Sequence, residues 1–391
     1  MRLSRASFAV SLAALLGGGS GARGGEAEAR PPGQALRPPP VIHVTDLFRP
    51  HNDPDDHWDL ATQFALAARG DIELRAVLID FPPARPPRAP DLAAVAQLNR
   101  LAGLAVPVAV GTSRGPGHDA AAPPTPVERQ GVDLLLRLLA ETDRPLIIHV
   151  TGSCRDVALA GREAPELFAR HCAGVYLNAG TGAPRPGPHS RLEYNVALDP
   201  ASYAAIFRLP CPVFWLPCFE TLDDGAPWTV REFGSCWSFR QERLLPRLAP
   251  PLQNYFLLMF ERRSGENWLA ALNAPPDPAA LKKHSARTRH MWCTAGFLHA
   301  AGWAAGPDGT LLPRDSAAAR AVCGFLPIRV RCDERGVTRW RPDPARRDRF
   351  ILQVRDRKHY AAALTRAMGT LLRALPRTEE CPRNPAGSRR R

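Results

Sequence analysis

Short runs of β-branched and aliphatic residues alternate along the chain with longer segments whose apolar positions recur at helical spacing. The first run is Val41-Ile42-His43-Val44. The segment 55–69 follows, with Trp58, Leu60, Ala61, Phe64, Ala65 and Ala68 spaced as in a helix. The same alternation predicts strands at 74–79, 106–110, 146–150, 174–177 and 213–216, with helices at 91–104, 127–141, 156–168 and 202–207 between them. Short apolar strands alternating with amphipathic helices specify an α/β fold, a mostly parallel open sheet flanked by helices on both faces. Beyond about residue 225 the alternation gives way to aromatic-rich helical text, with one helix predicted over 288–301, so the C-terminal part reads as helical. No internal repeat is present.

The ends of the chain read differently. Arg2 and Arg5 precede an apolar run from Ala6 to Leu16 and then a Gly/Ser/Ala segment. That is the layout of a secretory signal over 1–29, and the run is too short to span a bilayer. An unstructured Ala-rich leader is the plainer alternative. A Pro-rich linker over 30–40 leads to a domain expected over 41–375, and the Pro- and Arg-rich tail, 376–391, is expected to be disordered. On this reading the mature protein is secreted or periplasmic, with no membrane span and no pattern against homo-oligomerisation.

With 45% hydrophobic and 23% charged residues, the chain is not wholly disordered. A formal net charge of +13 favours anionic partners. The arginines are nevertheless scattered among Ala and Pro, and no basic-aromatic module appears, so nucleic acid is not expected as a partner. Nine cysteines are spread singly without a C-x-x-C pair, which argues against a zinc ribbon or a thioredoxin-like site. Cys211 and Cys218 flank an apolar run and read as buried small hydrophobes.

In open parallel sheets, ligands bind beyond the carboxyl ends of the strands. The richest such loop follows Val44: Asp46, Asp53, Asp55 and Asp56 fall within 11 residues, at a strand end and a helix start. Crowded carboxylates repel one another unless protons or a cation intervene. A hard divalent ion such as Ca²⁺ takes several carboxylate and carbonyl oxygens at once. Helix capping by Asp53 or Asp55 accounts for one or two of these acids but not for four.

Asp46, then Asp53-Pro54-Asp55-Asp56 and Leu60-Ala61, resembles the N-terminal aspartate signature of the nucleoside hydrolases, the inosine/uridine-preferring superfamily, with a longer spacer. Three further segments resemble the family in order: Val106 to Gly111; Ile148 to Gly152 with Asp156 to Ala160; and Glu193-Tyr194-Asn195 with Asp199-Pro200. The resemblance covers roughly 41–220, with a weaker echo at 290–301. It implies hydrolysis of an N-glycosidic bond in a small-molecule riboside, through a cation-like transition state that wants negative charge and an activated water. By resemblance, Asp46 is metal ligand and general base, Asp56 a bidentate ligand and the Thr151 carbonyl a backbone ligand. Asp55, Asn178, Glu193 and Asn195 contact the sugar.

The chain also departs from the family. The echo puts His290-Met291 where the family has a histidine and a metal-binding aspartate, and thioether sulfur is a poor ligand for a hard cation. His290 is a candidate proton donor to the departing base. Asp80 replaces a Gly-Asn pair and is a candidate sugar contact; Phe48 and Arg49 are candidate pocket residues. Trp228, Phe233, Trp237 and Phe239 are candidates to stack a base, with core packing the plainer reading. Three readings follow: an exported metal-dependent riboside hydrolase, a catalytically impaired nucleoside- or carbohydrate-binding relative, or a fold whose metal serves stability alone.

Overall fold

The computed structural model describes residues 37–49, 51, 54–82, 88–115, 125–187, 190–223, 228–263 and 267–376. The stretch read as a signal over 1–29, residues 30–36 of the linker, Asp53 and the tail beyond 376 lie outside the described residues. The chain divides between Arg37 and Pro38, and everything below concerns the second unit.

Strands β1 (Pro40–Thr45), β2 (Glu73–Ile79), β3 (Val108–Val110), β4 (Leu146–Val150), β5 (Cys172–Asn178) and β6 (Val213–Leu216) lie close to the positions that the hydrophobic pattern predicts. Three more, β7 (Cys323–Cys332), β8 (Thr338–Pro342) and β9 (Arg349–Val354), complete a nine-stranded sheet in the order β8-β7-β9-β6-β5-β4-β1-β2-β3. All pairings from β9 to β3 are parallel, whereas β7 runs antiparallel to both β9 and β8. Arg329 and Arg331 alternate with apolar positions in β7, and Pro327 interrupts the run, so the C-terminal strands carry a weak signal in sequence. Pro327 is tolerated because it sits where pairing passes from β9 to β8: its register partner is Phe350, and pairing to β8 begins at Ile328.

Alternation along the strands divides the core. Val41, Val77, Ile79, Tyr176 and Leu216 face one apolar layer, while Ile42, Val44, Leu78, Ile148, Val150 and Leu177 face the other. The first layer takes helices α1 (Pro54–Arg69) and α2 (Leu92–Ala102). The second takes α3 (Pro126–Glu141), α4 (Arg155–Glu163) and α5 (Pro165–His171), then α6 (Tyr194–Leu198) and α7 (Pro200–Ile206) after β5. The predicted helix 156–168 is thus two helices, because Pro165 disfavours helical backbone at Ala164. Helices α8 (Pro250–Phe260), α9 (Trp268–Asn273), α10 (Pro278–Ser285), α11 (Thr294–Ala300), α12 (Ala317–Val322) and α13 (Arg357–Leu372) make up the helical C-terminal part.

The helix predicted over 288–301 is shorter. Thr288–Met291 is extended and pairs antiparallel with Trp237–Arg240, and α11 begins only at Thr294. Helix α1 opens with Pro54, which needs no amide partner at a helix start, and with Asp55 and Asp56, whose charges complement the helix dipole. It is buried on nearly every side, from Asp56 through Leu66. Its polar residues therefore face protein or cavity rather than bulk water.

Candidate functional site

From β1 the sheet grows through β2 and β3 on one side and through β4, β5 and β6 on the other. Chain order reverses between β1 and β4, which pair in parallel from Val41↔Ile147 to Val44↔Val150. A crevice opens beyond the carboxyl ends of strands at such a point. Asp46 follows β1 there and Thr151 follows β4. A cavity of about 530 Å³ lies over this point, lined by Asp46, Asp55, Asp56, Thr151, Asn178, Glu193 and Asn195 together with aromatic and apolar side chains.

Backbone and hydroxyl groups set the floor. The Thr151 amide donates to the Val44 carbonyl at 2.9 Å. Its Oγ1 donates to the same carbonyl at 3.0 Å and lies 3.3 Å from Asp56 Oδ1. Thr45 Oγ1 donates to that carboxylate oxygen at 3.0 Å. Two strand-end hydroxyls thus orient Asp56 at the start of α1. Gly152 permits the close packing: a Cβ there would stand 2.6 Å from Asp80 Oδ2 and 3.0 Å from the Asp46 amide. Asp80 itself receives the Ser153 amide and does not line the cavity, so it is not a sugar contact in this arrangement. Burial pushes its carboxyl up.

The opposite wall comes from the turn after β5 and the entry to α6. Glu193 caps α6, accepting the Asn195 amide at Oε1 (3.1 Å) and the Gly180 amide at Oε2 (2.8 Å). Burial pushes this carboxyl up as well, against those amide bonds. Asn195 Nδ2 donates to the carbonyls of Thr151 (3.1 Å) and Asn178 (3.3 Å), which holds three strand-end segments together. Asn178 Nδ2 donates to the Leu216 carbonyl at 2.9 Å, while its buried Oδ1 has no partner among the described residues. A buried acceptor beside a cavity is suited to a ligand hydroxyl.

Neither His290 nor Met291 of the C-terminal echo lines the cavity. Met291 is fully buried in the apolar core and faces no ligand site. Trp292 and Cys293 line the cavity instead. Burial, with the charges of Asp59 and Asp56 nearby, pushes the Cys293 thiol well above its ordinary range, so it stays protonated. The pairing of Thr288–Met291 with Trp237–Arg240 sets this register, which no local pattern reveals. His290 projects from that strand outside the cavity lining, its ring 5.5 Å from that of Trp228.

Other candidates separate cleanly. Phe48 is core, and Arg49 pairs with Asp91 at 2.7 Å, so neither lines the cavity. Trp237 and Phe239 are also core, and Phe233 packs on Trp340 with ring centroids 4.8 Å apart. Trp228 alone of the four aromatics reaches the cavity. It is 43% exposed and stacks on Phe219 at 4.7 Å, and the half-exposed Tyr194 stands on the Glu193 side. Sequence reading missed Phe219, Trp292 and Cys293, because remote pairings bring them to the cavity.

Asp46, Asp56 and Thr151 line one cavity, and carboxylate and carbonyl oxygens are the donors a hard divalent cation takes. Two thiols, Cys218 and Cys293, line the same cavity.

No protein-family model matches the chain, and no curated protein matches it in sequence. Among solved structures, a plant nucleoside hydrolase (PpNRh1) superposes with a TM-score of 0.50 at 15% identity, over 85% of this chain and 99% of that one. A purine-preferring ribonucleoside hydrolase from Gardnerella vaginalis gives the same TM-score at 14% identity, with 85% and 99% covered. The switch point and cavity described above sit within this shared architecture, and the chain therefore has a nucleoside hydrolase-like fold.

Proposed function

We propose that this chain is an exported hydrolase of N-glycosidic bonds in ribonucleosides or related ribosides, dependent on Ca²⁺ or a similar hard cation. One observation carries the reading: Asp46, Asp55, Asp56, Thr151, Asn178, Glu193 and Asn195, far apart in sequence, all line one cavity at the sheet's switch point. Asp46, Asp56 and the Thr151 carbonyl would hold the cation, which when bound supplies a water of lowered pKa. Asp46 takes the proton of the attacking water. Asn178 Oδ1 accepts a sugar hydroxyl, and Asp55 with Glu193 and Asn195 orients the rest of the ring. The negative charge of the aspartates stabilises the cation-like sugar as the bond to the base breaks. Trp228, Phe219 and Trp292 form a wall on which a flat leaving base stacks. For His290 to protonate the departing base, its ring, which lies outside the cavity lining against Trp228, has to turn inward.

The proposal includes export, on the charge, apolar run and small residues of 1–29; no helix among the described residues is long and apolar enough to cross a membrane. Homo-oligomerisation is compatible with it. A second reading, a riboside binder without turnover, is favoured by Cys293, which puts a neutral thiol beside the carboxylates.

Release of free base from a nucleoside panel, with and without Ca²⁺, tests the proposal. Asp46→Asn should lower the rate roughly a hundredfold or more. An undiminished rate in that variant would remove Asp46 from its role, and saturable riboside binding without base release would favour the binder.

A further inference from the structure

Outside the cavity lining, three buried side chains converge. His51 precedes α1, His57 lies in its second turn, and Asp91 caps α2. One ligand atom from each lies within 4.8 Å of the other two. His51 Nδ1 is 3.2 Å from Asp91 Oδ2, and His57 Nε2 is 4.0 Å from the same oxygen. The two rings stand at 80° to one another with centroids 5.0 Å apart. Relative exposures are 5% for His51, 2% for His57 and 1% for Asp91. Asp91 Oδ2 and both ring nitrogens of His51 make no hydrogen bond among the described residues. Polar atoms buried so close together without hydrogen bonds are costly, and a shared cation removes that cost.

We propose that His51, His57 and Asp91 bind a borderline divalent cation of the Zn²⁺ type. Two imidazoles and one carboxylate suit zinc rather than the oxygen-seeking Ca²⁺. Ligands at about 2.0–2.2 Å around a tetrahedral ion stand roughly 3.3–3.5 Å apart. The His51–Asp91 spacing matches that already, and the His57–Asp91 spacing needs a contraction of about half an ångström.

Outer partners orient the set as metal ligands require. Tyr255 OH lies 3.0 Å from His57 Nδ1 and so turns Nε2 toward Asp91. Arg49 Nε (2.7 Å) and the Ala94 amide (3.2 Å) both donate to Asp91 Oδ1, which turns Oδ2 toward the imidazoles. The charges of Arg49 and Arg262 near His51 oppose any cation, and they select for one that forms strong bonds to nitrogen. His51 and His57 flank the segment carrying Asp55 and Asp56, so the ion would tie the start of α1 to the start of α2. With three protein ligands the ion would keep its fourth position for water, and it lies outside the cavity lining.

The test uses the full chain, stripped with a chelator and titrated calorimetrically with Zn²⁺ alone, with Co²⁺ absorption reporting ligand geometry. Wild type should take up about one equivalent, with a tetrahedral Co²⁺ spectrum. His51→Gln, checked for folding by circular dichroism, should weaken binding at least tenfold, and Tyr255→Phe roughly tenfold. Asp46→Asn should leave it unchanged. No saturable uptake by the wild type overturns the proposal. So does uptake that survives both His51→Gln and His57→Gln, or uptake lost in Asp46→Asn.

Discussion

Thr45 Oγ1 donates to Asp56 Oδ1 across 3.0 Å, joining the last residue of β1 to the first turn of α1 by one buried hydrogen bond. Replacing a buried donor to a carboxylate by a methyl group costs about 1–3 kcal/mol. Thr45→Val should lower the unfolding free energy by that order in denaturant titration. It should also weaken Ca²⁺ binding, because Asp56 loses an orienting partner. Unchanged stability and affinity together would show that the bond is inconsequential.

Cys293 is the neutral atom beside Asp56 and Asp59. Cys293→Asp adds a hard, charged oxygen at that place, and charge count tunes Ca²⁺ affinity strongly. Calorimetric titration should show Ca²⁺ affinity raised roughly tenfold or more, with stability lowered in chelator and recovered on adding Ca²⁺. Equal affinity in the two proteins would mean that residue 293 does not face the ion.

Asp156 is fully buried at the start of α4, where the Thr112 amide donates to it at 3.1 Å. Burial pushes its carboxyl up to about 7. A carboxyl raised in the folded state binds its proton more tightly there than in the unfolded chain. Its linked contribution is therefore favourable below pH 4 and fades as the pH climbs from about 4 to about 7. Asp156→Asn should flatten that fall, by at most about 4 kcal/mol. Chemical denaturation at pH 5 and pH 8 reads it, and an identical pH slope in wild type and variant refutes the assignment.

Trp228 is an exposed aromatic of the cavity wall, stacked on Phe219. Stacking of a base on an aromatic side chain is worth about 1–3 kcal/mol. Trp228→Ala should raise KM for a nucleoside by roughly five- to a hundredfold while moving kcat much less. A kcat loss with KM unchanged would place Trp228 in the chemistry and not in base binding.

Strands β1 to β5 were legible because each is a short, mostly apolar run with an amphipathic helix following it in the chain. The acids after Val44 were legible because four carboxylates in one loop demand an explanation wherever the chain folds. Asp53, one of those four, lies outside the described residues. The strands after Pro313 were not legible, since β7 mixes arginines and a proline into an antiparallel ribbon whose pairing is settled by β8 and β9.

Residue chemistry and local periodicity determined what each segment could be: strand, helix, cap or acidic loop. The crowded acids pointed to a hard cation at a strand end, and the family resemblance implied a riboside beside it. Only the tertiary structure decided which side chains share a space. It buried Met291, brought Cys293 to the carboxylates through a strand pairing some fifty residues away, and gathered His51, His57 and Asp91 between two helices. Contacts of that kind depend on registers between distant segments, and no local pattern of apolar and polar residues encodes them.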